Sequence, residues 1–132
     1  EEPAVAALCL AAVEGLVDGL AILAIDNTAQ SEMAVRLGFP VVREAYADRA
    51  YLSNGLLVPR QHPGAVLHDP AVVAARAVRL AQHGQIAAID GSVILTEAVS
   101  LCFHGDTPDA VAMARAARDA LAAAGVEIRF AL

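Results

Sequence analysis

Residues 100–110, SLCFHGDTPDA, join an apolar run to an alanine-rich pattern through a short polar turn. The apolar run, 100–104, is typical of a buried strand. Thr107 and Pro108 then predict the N-cap and the first position of a helix over 108–124, because a hydroxyl satisfies exposed N–H groups and proline already has a helical φ. A strand that passes directly into a helix is the repeating unit of a parallel α/β sheet.

The rest of the chain alternates between helical and strand patterns in the same way. Helices are predicted over 3–18, 28–37 and 70–83, with Asn27 or Thr28 capping the second and glycines ending the second and third. Strands are predicted over 20–25, 40–44, 86–90, 92–96 and 126–130. This order predicts one α/β domain, residues 1–132, with right-handed βαβ units and a mainly parallel sheet.

Apolar periodicity also assigns buried faces. The face of helix 3–18 comprises Val5, Leu8, Ala12 and Leu16. The face of helix 108–124 comprises Val111, Ala114, Ala117, Leu121 and Ala124. The run LAILAI, 20–25, is apolar throughout, which predicts a strand that is buried on both faces.

Composition excludes several classes of function. The chain is 58% hydrophobic, yet charged or polar residues interrupt every apolar run before the roughly 20 residues of a membrane span. Its net charge of −6 argues against nucleic-acid binding, which favours a basic surface. All nine basic residues are arginines, so no lysine can bind phosphate or form a Schiff base, and arginine is the only fixed cation for an anionic ligand.

The two cysteines, Cys9 and Cys102, lie in apolar runs far apart in the sequence. This pattern predicts buried free thiols in a reducing cytoplasm, with a disulfide as the alternative. The opening residues Glu1, Glu2 and Pro3 do not resemble a secretory signal, which also predicts a cytoplasmic protein.

The first polar cluster is EAYADRAY, 44–51, at the end of the strand predicted over 40–44. Active sites of parallel α/β proteins form in the loops that follow the carboxyl ends of strands. Asp48 and Arg49 offer a carboxylate and a cation there, for proton transfer and for holding an acidic substrate. The alternative is a salt bridge within the loop. Aromatic and apolar residues in the long segment 45–69 predict that this segment is ordered.

The second cluster is LVPR, 57–60, followed by PGAV, 63–66. The prolines and glycine fix the path of the chain, so Arg60 would have a set direction. A solvated arginine on a structural loop is the alternative. His62 and His68 flank this segment, but no third ligand has metal-site spacing, so no metal site is predicted.

The third cluster is the turn His104–Thr107 itself, at a predicted helix N-terminus. Such termini bind anions through N–H groups and the helix dipole, and Gly105 would let a ligand approach the backbone. His104 and Asp106 are suited to acid–base chemistry. Alternatively, Thr107 only caps the helix, Asp106 offsets the dipole and His104 is a satisfied polar residue.

These clusters, in this order, resemble the LamB/YcsF family, which includes one component of 5-oxoprolinase. The family motifs are E-x-[FY]-A-D-R-x-Y, L-V-P-R, P-G-A-V and C-x-H-G-D-T-P, and they match 44–51, 57–60, 63–66 and 102–108. The resemblance covers essentially the whole chain. It implies part of an irregular, seven-stranded parallel β/α barrel similar to that of the polysaccharide deacetylases.

The resemblance also implies an activity, which is the ATP-dependent opening of 5-oxo-L-proline (pyroglutamate) to L-glutamate. ATP, with Mg, would be used by a complex with 5-oxoprolinase subunits B and C. Carried over to this sequence, the expected catalytic residues are Asp48, His104 and Asp106. The expected substrate-binding residues are Glu44, Arg49, Arg60, Gly105 and Thr107.

One departure from the family is large. Its members are about twice as long, and their amino-terminal half carries D-L-N-x-D-x-G-E and K-P-H-G-A-L-Y segments that do not occur here. The chain is therefore expected to be the carboxy-terminal half of the barrel, with the amino-terminal half as a partner and a homo-oligomer left open. The alternatives are a metal-dependent, deacetylase-like hydrolase and a non-catalytic fragment that serves assembly.

Overall fold

The computed structural model describes residues 2–16 and 18–130. The order of its helices and strands is α1 (Pro3–Ala11), β1 (Ile22–Ile25), α2 (Ala29–Arg36), β2 (Val41–Tyr46), α3 (Pro70–His83), β3 (Gln85–Ala87), β4 (Val93–Leu95), β5 (Ser100–Cys102) and α4 (Ala110–Ala123).

The main sheet is parallel, with the strand order β1-β2-β5. Ile25 lies opposite Glu44, and Tyr46 lies opposite Cys102. This confirms the predicted α/β class with a parallel sheet. Since the three strands run in the same direction, the residues that follow them meet at one edge of the sheet.

The two faces of the sheet differ because successive side chains alternate. Ala45 and Ala47, in and just after β2, are buried against α3, and Leu101 of β5 packs beside them. Helices α3 and α4 approach closely where Ala77 meets Ala117, both fully buried. The helices thus cover one face, and the alternate residues of β2 and β5 project from the other.

Strands β3 and β4 form a separate antiparallel hairpin, whereas the sequence predicted longer strands over 86–90 and 92–96. Asp90 and Gly91 make the turn, since the Asp90 carboxylate accepts the Ser92 N–H and hydroxyl. A tight turn of this kind allows only antiparallel pairing.

A buried carboxylate, Asp26, attaches this hairpin to the main sheet. It accepts the Thr96 hydroxyl and the Glu97 N–H, both at 2.7 Å, and pairs with Arg43 Nε at 3.1 Å. The segment after β4 is therefore fixed to the end of β1 and to Arg43 within β2.

The predictions for α2 and α3 are confirmed. Thr28 caps α2 in a reciprocal arrangement with Ser31, and α3 runs over the predicted residues 70–83 and ends at Gly84 in the left-handed conformation.

The prediction of helix 3–18 is wrong in length and in face. Helix α1 ends at Ala11 and turns follow, with Gly15 at φ +74°; Val17 lies outside the described residues. The buried residues of α1 are Ala6 and Leu10, whereas Leu8 is 72% exposed. In a helix that is apolar on every side, periodicity does not identify the covered face.

The predicted run 20–25 forms a strand only over Ile22–Ile25, and one of its faces is open. Ala24 is buried, whereas Leu23, on the other face, is 54% exposed. Among the described residues β1 pairs with one strand only.

Both cysteines are free thiols, as predicted, but Cys9 is exposed rather than buried.

The end of the chain also differs from the prediction. Helix α4 begins at Ala110, with Asp109 at its N-cap in the left-handed conformation, so Thr107 does not cap it. Its buried residues are Met113, Ala117 and Leu121, whereas Val111 is exposed. Residues 126–130 form no strand, because they pair with none of the described strands.

Among the described residues, no helix combines the length and apolarity that crossing a bilayer requires.

We expect Gly84→Ala to destabilise the protein more than Gly125→Ala, each glycine lying just after a long helix. Both glycines have positive φ, which costs alanine about 1–2 kcal/mol. Of the two, only Gly84 has backbone close to an added Cβ, the Thr96 carbonyl oxygen at 2.9 Å. Urea unfolding should show an additional loss of about 1 kcal/mol or more for Gly84→Ala. Equal losses would contradict a rigid contact between α3 and the hairpin.

Candidate active site

The register of β2 against β5 brings Asp48 opposite His104. Tyr46 pairs with Cys102, and the Ala47 N–H continues the ladder by donating to the Cys102 carbonyl at 3.0 Å. Asp48 follows Tyr46 by two residues, and His104 follows Cys102 by two residues. Both follow the carboxyl ends of their strands, where active sites of parallel α/β proteins form.

Asp48 is fully buried and accepts hydrogen bonds from one short segment. Its Oδ1 lies 2.8 Å from His104 Nδ1, and its Oδ2 accepts the His104 backbone N–H at 2.9 Å. The Thr107 hydroxyl adds a longer contact to Oδ2, at 3.4 Å. A buried carboxylate needs such donors, since burial without them is costly.

The ring of His104 is held on two sides and partly open. Its Nδ1 lies against Asp48, and the ring packs against Tyr46 in a T-shaped arrangement with ring centroids 4.6 Å apart. The side chain is 18% exposed, and within the described part of the chain Nε2 makes no hydrogen bond. Nε2 is therefore the ring atom that is available to a ligand.

Glu44 adds a second buried carboxyl group on the same face of β2. Burial raises its pKa, and the opposing effects of His104 and the Cys102 thiol are smaller. Burial beside Glu44 and Asp48 raises the pKa of Cys102 to about 11. The thiol therefore stays protonated at neutral pH, which is unsuited to a nucleophile.

Arg49 lies next to Asp48 in sequence but does not pair with it. Its guanidinium is buried and donates to two carbonyls of the following segment, from Nε to Ala65 at 3.2 Å and from Nη2 to Val58 at 2.7 Å. The salt bridge considered for this loop is thus replaced by hydrogen bonds that hold the segment together. Isolated β-bridges join Arg49 to Val66 and Tyr51 to Leu57, which confirms that this segment is ordered.

Arg60 and Asp106 connect the second and third clusters at the surface. Arg60 Nη1 lies 3.5 Å from Asp106 Oδ2, and both side chains are more than half exposed. An exposed pair of this kind contributes about 0–1 kcal/mol, so a ligand could replace either partner at little cost.

Gly105 differs from the other eight glycines of the chain. Each of those has positive φ, which explains a glycine there, whereas Gly105 does not. Among the described residues, nothing lies within 4 Å of a Cβ built at Gly105. Neither backbone conformation nor packing within this part of the chain requires the glycine, so the space beside His104 is open.

Sequence reasoning missed three contributions to this site. The first is the contact of Thr107, itself an expected substrate-binding residue, with Asp48 in place of a cap on α4. The second is Arg76 of α3, whose guanidinium donates to the Arg49 and Ala87 carbonyls and so ties the segment to the helix. The third is Tyr51, whose hydroxyl accepts the Tyr46 N–H at 2.7 Å. The position of Arg76 within an otherwise apolar part of α3 was a signal for the second, but the others depend on tertiary contacts.

The arrangement can support acid–base chemistry. A histidine whose Nδ1 meets a buried carboxylate can accept or donate a proton at Nε2. Within the part of the chain that the structure describes, no group of three His, Cys, Asp or Glu residues is placed to hold a metal ion.

We expect Glu44→Gln to become more stable relative to the wild type as the pH rises. Because burial raises the pKa of Glu44, the folded protein keeps a proton that the unfolded chain releases near pH 4.5. The wild type therefore loses stability as the pH rises from there through the raised pKa, and glutamine removes this loss. Urea unfolding at several pH values would measure it, with the exposed Glu127→Gln as control. A constant difference between Glu44→Gln and the wild type would contradict the expectation.

Comparisons with known proteins identify relatives of the chain. The chain is 46% identical to the 5-oxoprolinase A component of Mycobacterium leprae (strain TN) over 121 residues, which are 91% of this chain and 48% of that protein. It is also 46% identical to the corresponding 5-oxoprolinase component of Mycobacterium avium (strain 104), covering 96% of this chain and 50% of that one. The chain thus spans about half the length of the curated relatives it matches.

The crystal structure of the lactam utilization protein from Thermus thermophilus superposes with a TM-score of 0.88. The two chains are 39% identical, and the match covers 98% of this chain and 51% of that one. The LamB/YcsF family model matches residues 1–131, including the strand ends that carry Asp48 and His104. The parallel α/β sheet, the motifs at its edge and this match together show that the chain belongs to the LamB/YcsF family.

Proposed function

We propose that this chain is a component of an ATP-dependent 5-oxoprolinase, which hydrolyses 5-oxo-L-proline to L-glutamate. Membership of the LamB/YcsF family supports the proposal, as do the names of relatives that are 46% identical to it. The observation that carries it is the Asp48–His104 pair, which offers a histidine Nε2 beside open space at the carboxyl edge of a parallel sheet.

The reaction opens a cyclic amide. Water adds to the ring carbonyl carbon, the C–N bond breaks, and the nitrogen leaves with an added proton as the amine of glutamate. Each step needs a group that takes or gives a proton, and His104 Nε2 can do both in turn. Asp106 supplies a carboxylate on the exposed rim, and Asp48 belongs to the same set through its hydrogen bonds to His104.

The substrate also carries a carboxylate, which requires a cation. Arg60 is exposed and weakly paired, so it can exchange Asp106 for a substrate carboxylate. Arg49 is buried and already donates to two carbonyls, so it would act on a bound anion through its positive charge and not by direct contact. Glu44, Gly105 and Thr107 complete the substrate-binding set, with Gly105 leaving room beside His104.

In the proposed reaction, ATP would phosphorylate the carbonyl oxygen of the amide and leave as ADP. Addition of water and C–N cleavage would then leave an acyl phosphate, from which a second water would release inorganic phosphate and give L-glutamate. Among the described residues, no group of three His, Cys, Asp or Glu residues is placed to hold the Mg ion without help from the phosphates of ATP. The chain has no lysine, and Arg49 is occupied by backbone carbonyls. We propose that the partner subunits B and C contribute to the nucleotide site of the complex.

We expect His104→Ala to lower the turnover of 5-oxoproline by about 10²–10⁴-fold, the usual contribution of a general acid–base group. The assay measures ATP hydrolysis that depends on 5-oxoproline, and it uses the natural form of the protein combined with subunits B and C. His83→Ala, an exposed histidine at the end of α3, is the matched control and should keep wild-type turnover. Unchanged turnover in His104→Ala would remove this residue from the mechanism.

A second role, in assembly, is favoured by the exposed apolar side chains. Leu8 on α1, Leu23 on β1 and Val99 before β5 are all more than half exposed. Large apolar side chains left open in this number are usually covered by a partner. We propose that the chain forms part of an irregular β/α barrel, and that the polypeptide matching the other half of its relatives covers these residues.

We expect the thiol of Cys9 to be protected from thiol reagents in the natural form of the protein. Cys9 is exposed on α1 beside Leu8, so it reports on whether a partner covers that helix. In a Cys102→Ser variant, Cys9 should react with a thiol reagent at least tenfold more slowly than after unfolding in guanidinium, because a covered thiol is out of the reagent's reach. Mass spectrometry of the labelled peptide measures the rate. Labelling at the rate of the unfolded chain would contradict covering of α1.

A further inference from the structure

We infer that Asp48 is a positioning residue, which fixes His104 in the tautomer that carries its proton on Nδ1 and so makes Nε2 the reacting atom. The inference rests on the proposed function for its kinetic consequence. Its structural content concerns the ring of His104 alone and can be tested without the reaction.

Burial separates the role of Asp48 from that of a carboxylate that meets substrate. The side chain is 0% exposed, and its oxygens already receive the His104 ring, the His104 backbone N–H and the Thr107 hydroxyl. A group that is closed on every side cannot touch a substrate without rearrangement. Any effect of Asp48 on the reaction must therefore pass through the residues that it contacts.

Two of the three contacts are with His104, and they constrain different parts of it. The bond from the backbone N–H fixes where β5 ends, and the bond at Nδ1 fixes how the ring is turned. Because a carboxylate only accepts hydrogen bonds, the neutral ring must present Nδ1–H to it. The other nitrogen is then an acceptor, and its lone pair can take a proton.

The remaining neighbours of the ring do not impose a competing tautomer. Tyr46 packs against the His104 ring in a T-shaped arrangement, and within the described part of the chain the Glu44 carboxyl group makes no hydrogen bond to that ring. Among the described residues, no side chain hydrogen-bonds Nε2. The carboxylate of Asp48 is thus the group that decides which ring nitrogen carries the proton.

The direct test is the ¹⁵N NMR signature of the neutral His104 ring in the native protein. We expect the wild type to show the Nδ1–H tautomer. In Asp48→Asn the amide can either donate or accept, so the Nε2–H tautomer should become populated. Asp119→Asn, an exposed position on α4, is the matched control and should leave the signature unchanged.

The wild-type spectrum decides the matter even where Asp48→Asn fails to fold. An Nε2–H tautomer in the wild type would overturn the inference. A second variant, Thr107→Val, removes the weakest contact and keeps the carboxylate. It should retain the Nδ1–H tautomer, and loss of that tautomer would show that the hydroxyl rather than the carboxylate sets the proton.

The kinetic test compares Asp48→Asn, His104→Ala and the double variant in the complete complex. We expect Asp48→Asn to lower kcat much more than it changes KM, and the double variant to be no slower than His104→Ala. A further loss in the double variant would mean that Asp48 acts independently of His104, which overturns the inference. If the wild type itself does not turn over 5-oxoproline, the proposed function fails, whereas the NMR result still tests the tautomer.

Discussion

The candidate site depends on the buried carboxylate of Asp48 and the donors that surround it. A carboxylate with no exposed surface is stable only if hydrogen bonds replace the lost water. Its donors come from the short segment between β5 and α4, through His104 and Thr107. The polar turn before α4 is consequently shaped by a residue of the loop after β2, and its ring and hydroxyl are oriented for that reason.

This contact is possible because β2 and β5 pair in one register. Tyr46 lies opposite Cys102, and the ladder continues through Ala47 before the chains separate. A shift of one residue would turn Asp48 and His104 to opposite faces of the sheet. The small residues Ala45 and Ala47, on the face of the sheet that the helices cover, allow α3 to pack closely against β2. This packing stabilises the register of β2 against β5.

Helices and strands were predictable where local chemistry decides them. The ends of α3 follow from Pro70 and Gly84, and the start of α2 follows from its cap at Thr28. The predicted length and buried face of α1 were wrong, and the strand predicted over 126–130 does not form. Neither segment has a pattern of apolar and polar residues that marks one face for burial. In such segments the covered face, and even the presence of a strand, depends on what packs against them.

The sequence by itself determined the α/β class, the position of Asp48 and His104 after strand ends and, through its motifs, the family. Glu44, predicted to end its strand, lies inside β2. The sequence did not determine which of the candidate residues meet. Asp48 and Arg49 are adjacent, so local reasoning suggested that they pair. The tertiary structure instead joins Asp48 to His104, 56 residues away, and turns Arg49 to the carbonyls of Val58 and Ala65. The physical reason is that adjacent residues at the end of a strand point in opposite directions, whereas a parallel register brings distant residues to the same face.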